Sequence, residues 1–292
     1  MDARHVCIIL TDMKFTFFKQ LLAAGIVLIA AQYKSYAGGF PVRPGSVLIS
    51  PSINYFFSNR SWDENKVNKP FANDGQFTSL SYSLYSEYGI SKRFAISAVL
   101  PYAMNHYKDA TGYNQTTSGF TDLEVGLKYY LANIDYIYYF SVQGTFIQPL
   151  YSNVGLGYKE NGAEVKLMFA GSGHFLGKNY YFTAENGVRQ YFGGQGPIQD
   201  RYNGTVGLTL DRRFKHQASI SLSGFYSASD LNSAFNAIQI GNNRNFSFTQ
   251  ASLSYGYSFT KKFSIFLSAG KFIVGQNTGQ GSSGSASLIL RP

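Results

Sequence analysis

The sequence predicts an all-β chain, a transmembrane antiparallel up-and-down β-barrel of about twelve strands. Three observations point there: apolar and polar residues alternate with period two, long and short connections alternate without a break, and the composition is rich in aromatics but poor in charge.

The composition sets the class. Of 292 residues, 45% are hydrophobic and 17% aromatic, yet only 14% are charged, where a soluble domain carries about 25%. Mean hydropathy is close to neutral, so the apolar residues do not gather into membrane helices. They are spread as strands require, each beside a polar neighbour. The formal charge is +9; removing residues 1–37 takes away Arg4, Lys14, Lys19 and Lys34 against Asp2 and Asp12, which brings it to +7. Basic residues beside anionic lipid head groups explain that excess. No basic run is interleaved with base-stacking aromatics, so no nucleic-acid partner is expected.

Residues 1–37 read as a signal peptide. Lys14 and Lys19 precede an apolar run from Leu21 to Ala31, and a small-x-small site, Ser35-Tyr36-Ala37, follows it. The run is short of the roughly 20 residues that span a bilayer as a helix. Met13 is an alternative start, because the residues before it add nothing to the signal. Cleavage is expected near Ala37, which removes Cys7, the single cysteine, and leaves residues 38–292 as one barrel domain without disulfide or thiolate chemistry.

From Ser46 onward the alternation is plain. Phe94, Ile96, Ala98 and Leu100 alternate with Ala95, Ser97 and Val99, and Leu123, Val125, Leu127, Tyr129 and Leu131 alternate with Asp122, Glu124, Gly126, Lys128 and Tyr130. Strands are expected at 46–57, 77–90, 94–103, 120–131, 136–149, 163–175, 180–191, 200–211, 215–227, 246–259, 263–274 and 283–291. Most reach the roughly 9–11 residues that a tilted membrane strand needs. Between them the short turns fall at 91–93, 132–135, 176–179, 212–214 and 260–262. Long Gly/Asn/Ser-rich loops fall at 58–76, 104–119, 150–162, 192–199, 228–245 and 275–282. Short periplasmic turns and long outer loops are the outer-membrane pattern, and twelve strands need five of the one and six of the other. A soluble β-sandwich would share the alternation but not the strict rhythm or the export signal. No motif recurs at a fixed spacing as a propeller or solenoid would require.

If the apolar set faces lipid, the charged residues of the other set line the lumen: Glu87, Glu124, Lys128, Glu164, Lys166, Glu185, Arg189 and Arg201. Both signs are present, so they either plug a narrow interior with ion pairs or form a polar lining that guides a solute. Tyr55, Phe56, Phe57, Tyr88, Tyr102, Tyr129, Tyr191 and Phe259, near strand ends, are candidates for interface girdles, with a hydrophobic solute path as the alternative for some of them.

No catalytic, cofactor-binding or metal-binding residues are assigned. His106, His174 and His216 have no sequence partners that suggest a triad, and the His-x-Ser arrangement of outer-membrane phospholipases is absent. No His/Cys cluster has metal-ligand spacing. Gly155-Leu156-Gly157 and Gly193-Gly194-Gln195-Gly196 are loop glycines, since neither opens a helix nor carries the Gly-Lys-Ser/Thr of a phosphate loop.

One stretch carries a family resemblance. Tyr85-Ser86-Glu87-Tyr88-Gly89-Ile90-Ser91-Lys92-Arg93-Phe94, running on to Leu100-Pro101-Tyr102, resembles a hairpin of the outer-membrane transporter family named for the meta-cleavage pathway of phenol degradation. Gly119-Phe120-Thr121-Asp122-Leu123-Glu124-Val125-Gly126-Leu127-Lys128-Tyr129 is similar to its next strand. The resemblance implies an outer-membrane barrel passing small aromatic or other hydrophobic compounds, although a fold does not fix a substrate. Barrels of this class usually end on an aromatic residue, whereas this chain ends Leu290-Arg291-Pro292. A degenerate recognition signal or unusual assembly is expected from that.

The expected function is a passive, porin-like channel in the outer membrane of a Gram-negative bacterium, with no cofactor and no enzymatic activity. The alternatives are a closed barrel that binds a partner or anchors the cell surface through its outer loops, and a lipid-modifying enzyme. The expected partners are outer-membrane lipid and lipopolysaccharide, the barrel-assembly machinery and a small hydrophobic solute.

Overall fold

A computed structural model describes residues 40–175, 177–193, 196–230 and 235–292. The expected signal peptide, Cys7 and the cleavage site lie outside the described residues.

Strands follow wherever the period-two alternation runs. In chain order they are β1 (Val47–Trp62), β2 (Asn68–Pro70), β3 (Gln76–Gly89), β4 (Phe94–Lys108), β5 (Asn114–Phe120), β6 (Asp122–Ile134) and β7 (Tyr138–Pro149). The second half holds β8 (Gly162–Phe175), β9 (Lys178–Tyr191), β10 (Ile198–Thr209), β11 (His216–Ala228), β12 (Phe246–Ser258), β13 (Phe263–Gln276) and β14 (Thr278–Leu290). Each barrel strand pairs antiparallel with the next, and β14 returns to β1 from Ile49↔Leu290 to Trp62↔Thr278. The result is a closed barrel of twelve strands with two extra strands, β2 and β5, among the described residues. Closure pairs the strands on both sides along most of the wall, so most of its backbone donors and acceptors are satisfied in a medium without water, the exception being the outer ends of β13 and β14.

Burial is inverted relative to a soluble domain. Leu127, Val165, Leu167, Ile220 and Leu253 are exposed on the outer wall, while Glu87, Lys128, Glu164 and Arg189 are buried inside it. In water such a wall would be one continuous adhesive patch. Against acyl chains it is the surface a bilayer covers.

The outer connections differ from the expected loops. β1 continues to Trp62, and β4 and β5 build most of the expected loop 104–119 into a hairpin (Tyr102↔Phe120 to Lys108↔Asn114). The expected loop 275–282 is not a loop: Asn277 alone separates β13 from β14. Gly, Ser and Asn lower strand propensity, which is why these segments read as loops. Here the small residues make room for large rings instead. A Cβ on Gly275 would collide with the Trp62 ring, and one on Gly281 with Phe56.

Candidate functional site

The interior has two unlike walls. We call the end with the short turns inner and the end with the long loops outer.

The charged wall runs from β6 to β10. Arg189 on β9 bonds Glu164 on β8 through Nε at 2.9 Å and also bonds Glu124 on β6. Arg201 on β10 reaches the same Glu164 oxygen at 2.7 Å, and Lys166 stands 3.4 Å from Glu164 and 3.6 Å from Glu185. The cross-strand register makes this possible: Glu164 lies directly opposite Arg189, and Lys166 is one inward-facing step along the strand. Three carboxylates face three cations, so the cluster carries no net charge. The Glu164 side chain is only 1% exposed and that of Arg189 5%, and charges so buried persist only when paired. Asp122 joins at the outer edge by accepting from Tyr151 at 2.9 Å and Tyr191 at 3.0 Å.

Glu87 and Lys128 form a second, separate pair at 2.8 Å, with Tyr130 donating to Glu87 at 3.2 Å and Tyr85 to its other oxygen. All eight charged residues expected in the lumen thus sit inside the barrel, six in one network and two in this pair. Lys128→Met is expected to destabilise the folded barrel by about 3 kcal/mol, because it strands a buried carboxylate. Glu87→Gln together with Lys128→Met should recover most of that loss, as read by urea denaturation in lipid vesicles. Equal stability of Lys128→Met and the parent would show that water reaches Glu87 freely.

A strap closes over this pair at the inner end. Gly89 on β3 bonds Ser46 and Gly45, and the Val42 backbone lies against the Tyr130 hydroxyl. Phe40 meets Tyr139 of β7 edge-on at 5.4 Å between ring centres. Glycine is required at 89 because a Cβ there would collide with the Arg43 carbonyl oxygen. Gly89→Leu is therefore expected to displace the strap and raise single-channel conductance. Unchanged conductance in the folded variant would mean that the strap does not limit the path.

The second wall is aromatic. Strands β1, β3, β12 and β13 bring Phe56, Phe77, Phe246, Phe248 and Phe272 to the outer half of the lumen. Phe248 and Phe272 stack at 4.4 Å and 9°, and Phe56 lies 5.1 Å from Phe272. The loops supply a roof: Phe71 stacks on Phe235 at 6.0 Å, and Gly241 donates to the Val154 carbonyl at 2.8 Å, which holds residues 235–245 against loop 150–161. Together they line a cavity of about 370 Å³ that remains partly open. Its polar lining is neutral, from Asn54, Asn105, Asn243, Gln250 and serines, and among the described residues no Asp, Glu, Lys or Arg lines it. Tyr158 closes one side and donates to the Asn243 carbonyl at 3.1 Å; burial pushes its phenol well above the ordinary range, so it stays a neutral donor.

This pocket was missed in the sequence, although a signal was present. Phe77 shares its register with Ser79, Ser81 and Ser83, and Phe248 shares its with Gln250 and Ser252. An aromatic ring in a polar register is a lumen residue. The same parity corrects two girdle assignments. Phe56 lines the pocket, because adjacent Phe57 takes the opposite face, and Tyr191 is buried with Arg189 and Asp122. Tyr55, Tyr88 and Phe259 are exposed on the outer wall as girdle residues would be. The histidines stand apart from both walls: His106 contacts Asn114 at 2.9 Å, His174 contacts Asn179 at 3.2 Å, and His216 contacts Tyr255 at 2.6 Å. Among the described residues no group of three or more His, Cys, Asp or Glu side chains is placed to hold a metal ion.

No protein-family model matches the sequence, and no curated protein matches it. Solved structures do resemble the fold. The COG4313 outer membrane channel of Pseudomonas putida F1 superposes with a TM-score of 0.65 at 14% identity, over 89% of this chain and 100% of that one. The transport unit of the autotransporter AIDA-I of Escherichia coli gives 0.50 at 8% identity, over 92% and 97%. Identities this low establish a shared fold: the chain is an outer-membrane-type β-barrel.

Proposed function

We propose that the chain is a passive outer-membrane channel for small, uncharged, largely apolar solutes, which collect in the aromatic pocket before crossing. The observation that carries this reading is the pocket itself, a lumenal cavity walled by phenylalanine with no charged side chain among the described residues of its lining. Burying about 150 Å² of apolar solute surface there is worth roughly 4 kcal/mol before ordering costs. That corresponds to about millimolar affinity, which suits a solute that has to leave again. The neutral amides and hydroxyls of the lining leave room for one hydrogen-bonding group on the solute. The ion-paired wall opposite matches its three cations with three carboxylates, and Asp122 at its outer edge is held by two tyrosines, so the wall offers a passing ion little unpaired charge. The resemblance of residues 82–131 to the phenol-degradation transporter family supports the same solute class. Passage is downhill and calls for no cofactor. The barrel sits among outer-membrane lipid and lipopolysaccharide, delivered by the barrel-assembly machinery.

Two probes with one skeleton test the charge rule. N-phenyl-1-naphthylamine is neutral, and 8-anilino-1-naphthalenesulfonate adds an anion. The purified barrel is expected to bind the neutral probe at least about tenfold more tightly, because the sulfonate would be buried without a partner. Equal binding, or binding unaffected by the loss of pocket rings, would sink the reading.

A further inference from the structure

One sector of the barrel wall beside the pocket is not sealed by hydrogen bonds. The β13–β14 pairing runs from Phe263↔Leu290 to Lys271↔Ser282 and stops there. Above that point Phe272, Val274, Gly275 and Gln276 pair only with β12, with Ile273 bulged out of the register, and Thr278–Gly281 pair only with β1. The two arms therefore part in a wedge, joined at the top by Asn277.

Three features make this wedge unlike the rest of the wall. It opens on the pocket, since Phe272, Gly279 and Ser283 all line that cavity. Its β14 arm, Thr278-Gly279-Gln280-Gly281, is short in side chains of its own, and the rings of Phe235 and Phe56 lie over its two glycines. Its outer rim on β13 is apolar and faces outward, with Ile273 51% and Val274 55% exposed. At the top the wedge is closed by Trp62, the single tryptophan of the chain. Its backbone pairs with Thr278 on β14, while its ring lies over Gly275 on β13, so one indole bridges both arms and is 7% exposed.

We propose that this wedge is a lateral portal between the aromatic pocket and the surrounding bilayer, with the Trp62 indole as its closing wedge. The inference rests on the pocket reading above. An apolar solute in the pocket has two ways onward. Along the axis it passes the charged network and the inner strap, and leaving Phe contacts for that polar path costs transfer free energy. Sideways it passes between the Phe56 and Trp62 rings that cover Gly281 and Gly275 and on to acyl chains, so it trades one apolar contact for another once those rings turn aside. Backbone groups of the parted arms, unbonded across the wedge, can hydrogen-bond a hydroxyl or amine on a solute in transit, so a neutral amphiphile is the class that fits.

The test uses the full chain with Cys7→Ser, which leaves no other cysteine. Ile273→Cys places a thiol on the rim of the wedge, and Leu167→Cys places one on β8, also exposed on the outer wall. Each is labelled with a bulky maleimide in cells expressing the barrel, and entry of N-phenyl-1-naphthylamine into the envelope is followed by fluorescence. Labelling at 273 is expected to slow entry by about tenfold, labelling at 167 to leave it unchanged, and Trp62→Ala to speed it. Probe binding to the purified, 273-labelled barrel is measured alongside. Retained binding with equal entry rates for both labelled variants overturns the portal while leaving the pocket standing. Absence of binding to the unlabelled barrel overturns the pocket reading instead, and the portal with it.

Discussion

Replacing Arg189 by methionine is expected to be the most damaging single change in the lumen, costing about 3–5 kcal/mol of barrel stability. Arg189 bonds Glu164 and Glu124 at once. Its loss leaves Arg201 and Lys166 to neutralise Glu164, and leaves Glu124 with Arg201 at 3.7 Å. Methionine keeps most of the volume, so the effect reads the charge and its hydrogen bonds rather than a void. The measurement is the temperature at which the folded barrel loses its heat-modifiable gel mobility, with urea unfolding in vesicles for the free energy. Adding Glu164→Gln to Arg189→Met should return part of the loss, because the stranded charge is then gone. Lys69→Ala, which breaks the exposed pair with Asp63 at 2.9 Å, should leave the transition where it was. A parent-like transition for Arg189→Met would mean that the lumen is wet enough to solvate its carboxylates, and the picture of a dry ion-paired wall would fall.

The second large effect concerns the pocket. Phe248→Ala with Phe272→Ala is expected to weaken N-phenyl-1-naphthylamine binding by about thirtyfold, from roughly 1 kcal/mol lost per ring contact. The two rings form the closest stack in the lumen wall, at 4.4 Å, and Phe56 packs on the same Phe272. Neither ring touches the ion-paired network, so barrel stability should change far less than for Arg189→Met. Phe225→Ala is a useful control: Phe225 stacks on Phe248 at 5.2 Å but does not line the cavity, lying under the Arg201 guanidinium at 4.7 Å. Unchanged probe affinity in the Phe248/Phe272 double variant, with the barrel folded, would place solute binding elsewhere.

The wall was legible because a membrane strand writes its two solvents into alternate positions. Leu123, Val125 and Leu127 could only face lipid if Glu124 and Lys128 faced inward, and that one-residue logic puts all eight charged residues in the registers where the structure pairs them. The same logic held the information for the pocket. Phe56, Phe77, Phe248 and Phe272 all fall in the serine register of their strands, but a ring near a strand end, such as Phe56, fits an interface girdle as well as a solute path until its neighbours across the lumen are known. The outer connections were harder, since Gly and Ser mark a loop and a strand packed under a large ring equally well. Trp62 over Gly275 and Phe56 over Gly281 settle that ambiguity through contacts far apart in sequence.

By itself the sequence determined the strand count, the antiparallel order and which face of each strand meets lipid, because alternation and loop length are local properties. Which charges pair, where the strap crosses the inner end, that seven phenylalanines from four strands and two loops share one cavity, and that β13 and β14 part beneath Trp62 were decided only by the closed barrel. Those features depend on register between strands and on loops folding back into the mouth, and neither is written in any single stretch of the chain.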